Sequence, residues 1–201
     1  MMFRSAMTTG LVSALLVAAA PAFAQEEGAA AGAPAAQSQG QQPEVVATHA
    51  DWQVVCAPEA EGQPRQCEMY QLLRDGGGSP IAEFSIAALP LGAEFAAGAT
   101  ITTPLETFLP TGLGFRIGDA EDMRVEGFRV CTVVGCVVRM GLSGEEVDQL
   151  KAGSNATVTI APFIAIDQPI EINVSLSGFT AAYDELQTRF AEAAAAARTG
   201  E

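Results

Sequence analysis

Four cysteines, Cys56, Cys67, Cys131 and Cys136, are the residues whose spacing could do chemistry. A redox dithiol requires exposed, low-pKa thiols, usually two residues apart at the start of a helix. Here the four residues TVVG separate Cys131 from Cys136, with valine-rich sequence on both sides, which argues against redox catalysis. Structural zinc requires four thiolate or imidazole ligands in two closely spaced pairs, and a ten-residue gap combined with a four-residue gap matches that poorly. The third use is the disulfide. Each pair falls within one predicted hairpin, which favours Cys56–Cys67 and Cys131–Cys136. Directly opposed residues of an antiparallel pair have Cα atoms roughly 4.5–5.5 Å apart, inside the range a disulfide spans. Cys131 and Cys136 would face each other across TVVG, with Gly135 free to take a positive φ where the loop turns back. Closing loops of six and twelve residues gives about 2 and 3 kcal/mol on chain-entropy grounds, so such bridges pin loops. A crossed bridge such as Cys56–Cys131 would give about 4.5 kcal/mol, and the pairing stays open on that account.

The remaining inventory is sparse. His49 is the single histidine, and its place next to a low-complexity segment argues against a positioned general base, on which any Ser–His–Asp arrangement would depend. Glu145 with Glu146, and Asp119 with Glu121 and Asp122, sit among glycines in predicted turns. Solvated loops account for them more readily than calcium, which takes six or more oxygen ligands. No G-x-x-x-x-G-K phosphate loop is present. The expectation is no catalytic residue, no cofactor and no metal.

The elements that would position these residues are short strands. Trp52, Val54 and Cys56 alternate with Gln53 and Val55, and CEMYQLL (67–73) resumes after a loop rich in proline and glycine, so 52–73 reads as a hairpin. Residues 81–89, 115–117, 124–131 and 136–142 read as further strands, and 144–153 as a short helix or turn. ATVTIAPFIAI and PIEINVSL read as two β-runs. Strands recurring every ten residues or so, between turn signals, predict an all-β antiparallel sandwich or barrel. The C-terminal stretch differs. Phe179, Tyr183, Leu186, Phe190, Ala193 and Ala197 recur at spacings of three and four, the stripe of an amphipathic helix over 179–198, with Thr180 as expected N-cap. Its aromatic half should dock on the sheet, and its alanine-rich half should fray.

The N-terminus carries export signals. Arg4, the apolar run GLVSALLVAAA and the Ala22-Phe23-Ala24 site predict a signal peptide over 1–24, with cleavage before Gln25. An apolar run this short does not span a hydrocarbon layer of about 30 Å. Residues 25–44 lack aromatic and β-branched residues and read as a flexible tether. One domain, 45–198, follows. Without Arg4 the chain keeps nine Lys and Arg against 24 Asp and Glu, a net charge of −15. That balance disfavours nucleic acid and anionic lipid as partners.

The order of these features resembles a known family. Trp52 and Cys56 are followed by Cys67 and Gln71, then Pro104-Leu105. Phe128, Cys131, Gly135 and Cys136 come next, then Leu142, then Leu150-Lys151 with Gly153. Ser175-Leu176-Ser177-Gly178-Phe179 and Tyr183 close the pattern. It is similar to the invasion-associated locus B family, exported proteins of alphaproteobacteria, over about 50–190. The resemblance implies a periplasmic or envelope-associated β-rich domain with two disulfides, and no defined catalytic residue. The family name refers to entry into host red cells, a role confined to pathogens. Glu106 stands after Pro104-Leu105 where the pattern tends to carry glycine, which questions the local turn. The expected function is a non-enzymatic envelope module binding a protein, peptide or glycan in the periplasm or at the cell surface. A periplasmic enzyme or chaperone-like factor is the alternative.

Overall fold

The computed structural model describes residues 42–59 and 63–199. The signal peptide (1–24) and the tether as far as residue 41 lie outside the described residues. A first strand, β1 (Glu44–His49), opens the described fold and takes in Glu44, the last residue of the expected tether.

Among the described residues, eleven strands form two antiparallel sheets. In the larger, a meander runs through β1, β2 (Trp52–Cys56), β3 (Cys67–Arg74), β4 (Pro80–Ala88) and β5 (Ala97–Thr103). A later hairpin, β8 (Phe128–Thr132) and β9 (Gly135–Leu142), adds to it, giving the order β1-β2-β3-β4-β5-β9-β8. The smaller sheet has the order β11-β10-β6-β7, from β6 (Leu113–Ile117), β7 (Arg124–Glu126), β10 (Asn155–Ile160) and β11 (Ile170–Ser175). Period-2 alternation decides which face is buried. Trp52, Val54 and Cys56 of β2, Phe84 and Ile86 of β4, and Val138, Met140 and Leu142 of β9 all point to one side. Ala156, Val158 and Ile160 of β10, with Ile172 and Val174 of β11, face them from the other sheet.

Four strands cannot cover seven. The smaller sheet lies over the β3-to-β9 side, with β11 against β3 and β7 against β9. The remaining apolar face, over β1 and β2, is closed by α2 (Phe179–Thr199). An edge-to-face aromatic chain ties the three layers together. Trp52 meets Phe84 at 5.7 Å and Phe179 at 5.3 Å, and Phe84 meets Phe115 of the smaller sheet at 5.8 Å. Each such pair adds about 0.5–1.5 kcal/mol beyond its buried area. A short helix, α1 (Gly144–Ala152), joins β9 to β10.

The predicted sandwich, C-terminal helix and both disulfides are present. Cys56 and Cys67 are direct cross-strand partners in β2 and β3, and Cys131 and Cys136 in β8 and β9, with Cα separations of 4.0 and 3.9 Å.

Several details differ from expectation. Thr132 and Gly135 also pair, so the hairpin loop is Val133-Val134 and not the whole of TVVG. Gly135, at φ 151°, backs onto β5, and a Cβ there would meet the Thr103 carbonyl oxygen. Residues 124–131 do not form one strand. The chain crosses between sheets at Gly127, separating β7 from β8. Thr180 is not the cap of α2, because the first helical bond runs from the Ala182 N–H to the Gly178 carbonyl. Thr180 Oγ1 reaches the Lys151 carbonyl instead, at 3.3 Å. The alanine-rich half of α2 is helical to Thr199 and largely exposed. Glu106 fits its turn, closed by Thr107 N–H on the Pro104 carbonyl at 3.1 Å, without a positive φ. No helix among the described residues is long and apolar enough to cross a membrane.

Candidate functional site

Where β1 turns into β2, Ala50 adopts φ 50°, the only non-glycine residue with positive φ among those described. This tight reversal starts β2 at Trp52, and β2 pairs with β3 only as far as Gln53 opposite Tyr70. β3 runs on to Arg74, paired with β4 on its other side. Among the described residues, no strand therefore covers this edge of the segment 71–74. Facing it is β11, the edge strand of the smaller sheet.

A cleft of about 650 Å³ lies between them, lined by Thr48, Asp51, Tyr70, Leu72, Arg74 and Asn173 among others.

A network of buried and half-buried groups fixes the floor. The Gln71 carboxamide, almost wholly buried, donates to the Ser175 carbonyl at 2.9 Å and accepts from the Ser175 N–H at 3.0 Å. It also donates to the Asp51 carbonyl at 3.3 Å. Trp52 Nε1 donates to the same Ser175 carbonyl at 2.8 Å. Ser175 Oγ donates to Asp51 Oδ2 at 2.5 Å and accepts from the Ser177 N–H at 3.2 Å. Gly178, at φ 84°, brings the start of α2 onto the β1–β2 turn, where a Cβ would meet the His49 carbonyl oxygen. The residues that carried the family resemblance at the two ends of the domain, Trp52, Gln71, Ser175, Gly178 and Phe179, thus meet in one junction.

The side chains around the cleft suit recognition. Burial, then the Glu83 carboxylate that bonds the hydroxyl, then Glu68, push the Tyr70 phenol up to about 12. The Ser175 hydroxyl bonds a carboxylate directly, with no imidazole between them, which does not activate it as a nucleophile. His49 is nevertheless positioned, contrary to the reading from its place in the sequence. It ends β1, and its Nε2 lies 2.6 Å from Glu185 Oε2 on α2. The His49 hydrogen bond, assisted by Arg189, lowers the Glu185 carboxyl below its ordinary value against the effect of burial.

The other residues singled out from sequence lie elsewhere. Cys56–Cys67 sits at the far end of the β2–β3 hairpin, and Cys131–Cys136 at the tip of β8–β9. Glu146 is not a loop carboxylate. It forms a capping box with Ser143 at the start of α1 and receives Arg124 Nη1 at 2.8 Å. Burial alone would raise its carboxyl, but the Ser143 N–H and the Arg124 guanidinium outweigh that and hold it below its ordinary value. Asp119, Glu121 and Asp122 occupy the β6–β7 connection, and no group of three or more metal-binding side chains forms among the described residues. Asp51, Tyr70, Arg74 and Asn173 were not singled out from sequence. Gln71 and Ser175, spaced 104 residues apart, were marked only as parts of the family pattern, and that pattern is the signal that could have found their neighbourhood.

The comparisons with known proteins agree with this architecture. The chain is 25% identical over 152 residues to invasion protein B homologs of Brucella abortus strain 2308 and of biovar 1 strain 9-941, covering 70% of this chain and 78% of each relative. The crystal structure of invasion associated protein B from Bartonella henselae superposes with a TM-score of 0.59 at 19% identity. That match covers 73% of this chain and 96% of the other, a likeness of fold. The family model for invasion associated locus B (IalB) protein matches residues 52–187. That span opens on Trp52 and takes in Gln71, Ser175, Gly178 and Phe179, and by it the chain belongs to the invasion associated locus B family.

Proposed function

We propose that this chain is an exported, non-enzymatic envelope protein that binds a protein, peptide or glycan partner through the cleft between β3 and β11. The observation that carries the reading is the cleft itself. It is a concave, mixed polar and apolar site of about 650 Å³ whose floor is held by the Gln71, Trp52 and Ser175 hydrogen bonds. Sites of roughly 300–1,000 Å³ with a few fixed polar groups are typical of ligand recognition. The predicted leader over 1–24 directs the mature chain to the periplasm or beyond it. The Brucella and Bartonella relatives are named for invasion, and a host-interaction role extends to this chain only if its source is a pathogen.

Two measurements test the reading in the bacterium that makes the protein. N-terminal sequencing of the envelope fraction is expected to start at Gln25. A photo-cross-linking residue at Thr48, on the cleft, is expected to give a discrete adduct. The same residue at Leu91, exposed on the β4–β5 connection, is expected to give none. No adduct at Thr48, or equal labelling at both positions, would overturn the cleft as the binding site. Substrate turnover abolished by Asp51→Asn would favour the enzymatic alternative.

A further inference from the structure

The partner's chemistry can be narrowed from the backbone that borders the cleft, an inference that rests on the binding reading above. We propose that the cleft captures an extended peptide segment of another polypeptide by strand addition to the free edges of β3 and β11.

The register determines which backbone groups face the cleft. Directly opposed residues in an antiparallel ladder alternate between hydrogen-bonded pairs and closer, non-hydrogen-bonded pairs. Cys56 and Cys67, with Cα atoms 4.0 Å apart, are a pair of the closer kind. Three residues on, Tyr70 opposite Gln53 is then a hydrogen-bonded pair, and its N–H and C=O point toward β2. The next residue with that orientation is Leu72. β2 has turned away at Asp51 by this point, so the Leu72 N–H and C=O meet the cleft with no strand among the described residues beside them.

β11 presents a matching edge. Both backbone groups of Ser175 are bonded by Gln71, so they point away from β10. By the same alternation the N–H and C=O of Asn173, two residues earlier, point outward as well, and Asn173 lines the cleft. Gln71 already shows what this edge accepts. Its carboxamide gives one donor and one acceptor to a single residue of β11, the two-point contact a neighbouring strand would make. Beyond that side-chain amide, no strand among the described residues pairs with this edge.

The turn keeps it open. Ala50 in the left-handed region and Gly178 packed on the His49 carbonyl together hold the β1–β2 reversal short of Leu72. Charges of both signs, Asp51 and Arg74, line the mouth. They discourage edge-to-edge pairing of two copies, as charged residues on open edges do, and favour a polar segment in which main-chain bonds supply affinity.

The probe is a library of random dodecapeptides displayed on phage and selected on the oxidised chain, with the recovered sequences then synthesised. Three results are expected. Bound peptide slows amide exchange at Leu72 and Asn173 at least tenfold. N-methylation of alternate peptide amides weakens binding at least tenfold. Leu72→Pro, which removes the outward N–H without touching the β4 ladder, does the same while leaving Trp52 fluorescence unchanged. Peptides that tolerate N-methylation, or that protect amides elsewhere, overturn strand addition and leave a binding module with its site on another surface. A library that yields no peptide also overturns it, the outcome a glycan ligand would produce. Adduct formation from Thr48 judges the binding reading separately. If Leu72→Pro fails to fold, the exchange and N-methylation results decide alone.

Discussion

Gln71 is the residue on which the junction between the two sheets depends, and its replacement gives a measurable consequence. Gln71→Leu keeps the side-chain size but removes bonds of 2.9 and 3.0 Å to Ser175 and a longer one of 3.3 Å to Asp51. A net hydrogen bond contributes about 1 kcal/mol, and a buried group left unpaired costs about 1–3 kcal/mol. The Ser175 carbonyl keeps Trp52 Nε1, so the Ser175 N–H is the group stranded. The expected loss is about 2–3 kcal/mol, with little dependence on pH. Gln71→Glu tests the same geometry by charge. Its carboxyl would still accept from the Ser175 N–H but would set an oxygen against the Ser175 and Asp51 carbonyls. Burial and that repulsion raise its folded pKa above the unfolded value of about 4.3. An acid raised in this way is least harmful below the unfolded pKa, where it is protonated. Its cost grows as pH rises to the folded pKa and then levels off, at about 1.4 kcal/mol for each tenfold weakening of the acid by folding. The assay is guanidinium unfolding followed by fluorescence of Trp52, the single tryptophan, fully buried and bonded to the same carbonyl. At about 2–4 °C per kcal/mol, Gln71→Leu should lower Tm by roughly 4–12 °C. A loss under about 0.5 kcal/mol for Gln71→Leu would refute the account. So would a cost for Gln71→Glu that stays flat between pH 4 and pH 8.

The other expectations concern elements farther from the cleft. Removing Cys131–Cys136 by double alanine substitution should cost about 2 kcal/mol, and removing Cys56–Cys67 about 3 kcal/mol, the longer loop losing more; denaturant midpoints of the two variants give the order. Gly135→Ala should destabilise by about 1–3 kcal/mol because its Cβ meets the Thr103 carbonyl at a φ that disfavours alanine, a loss visible in Tm with both bridges intact. Glu146→Gln should cost about 1 kcal/mol near neutral pH through the weakened capping box. Because the Glu146 carboxyl is lowered in the fold, its ionic contribution is present above about pH 4.3 and lost as pH falls through the folded value. The gap between variant and wild type should therefore narrow in acid, as unfolding curves at pH 3 and pH 7 would show.

The architecture was legible where side-chain alternation was strong. Trp52, Val54 and Cys56, or Val138, Met140 and Leu142, bury one face in the way their sequence pattern requires. β5 was not singled out because AGATITT carries small side chains between turn-rich segments. Its strand character comes from β4 and β9 on either side. Residues 124–131 read as one strand because Gly127 marks a change of sheet that no local propensity encodes. His49 looked peripheral because its partner Glu185 lies 136 residues away. The cleft was the least legible feature. It depends on where β2 stops, and that is set by a left-handed alanine at position 50, a conformation that local rules do not assign to alanine. Gln71 and Ser175 were marked by the family pattern, but nothing local in the sequence says that they touch.

The pairing of the cysteines bears on how the chain is made. Of the three connectivities open to four cysteines, the fold uses first with second and third with fourth. As the chain emerges from its N-terminus, the first and the third cysteine each find their native partner in the next one to appear. Cys56–Cys67 can close before any part of the second hairpin is available, and Cys131–Cys136 joins the two thiols still left. An oxidase that acts on cysteines in order of appearance therefore makes the native bridges directly, and maturation has no need of a reshuffling isomerase.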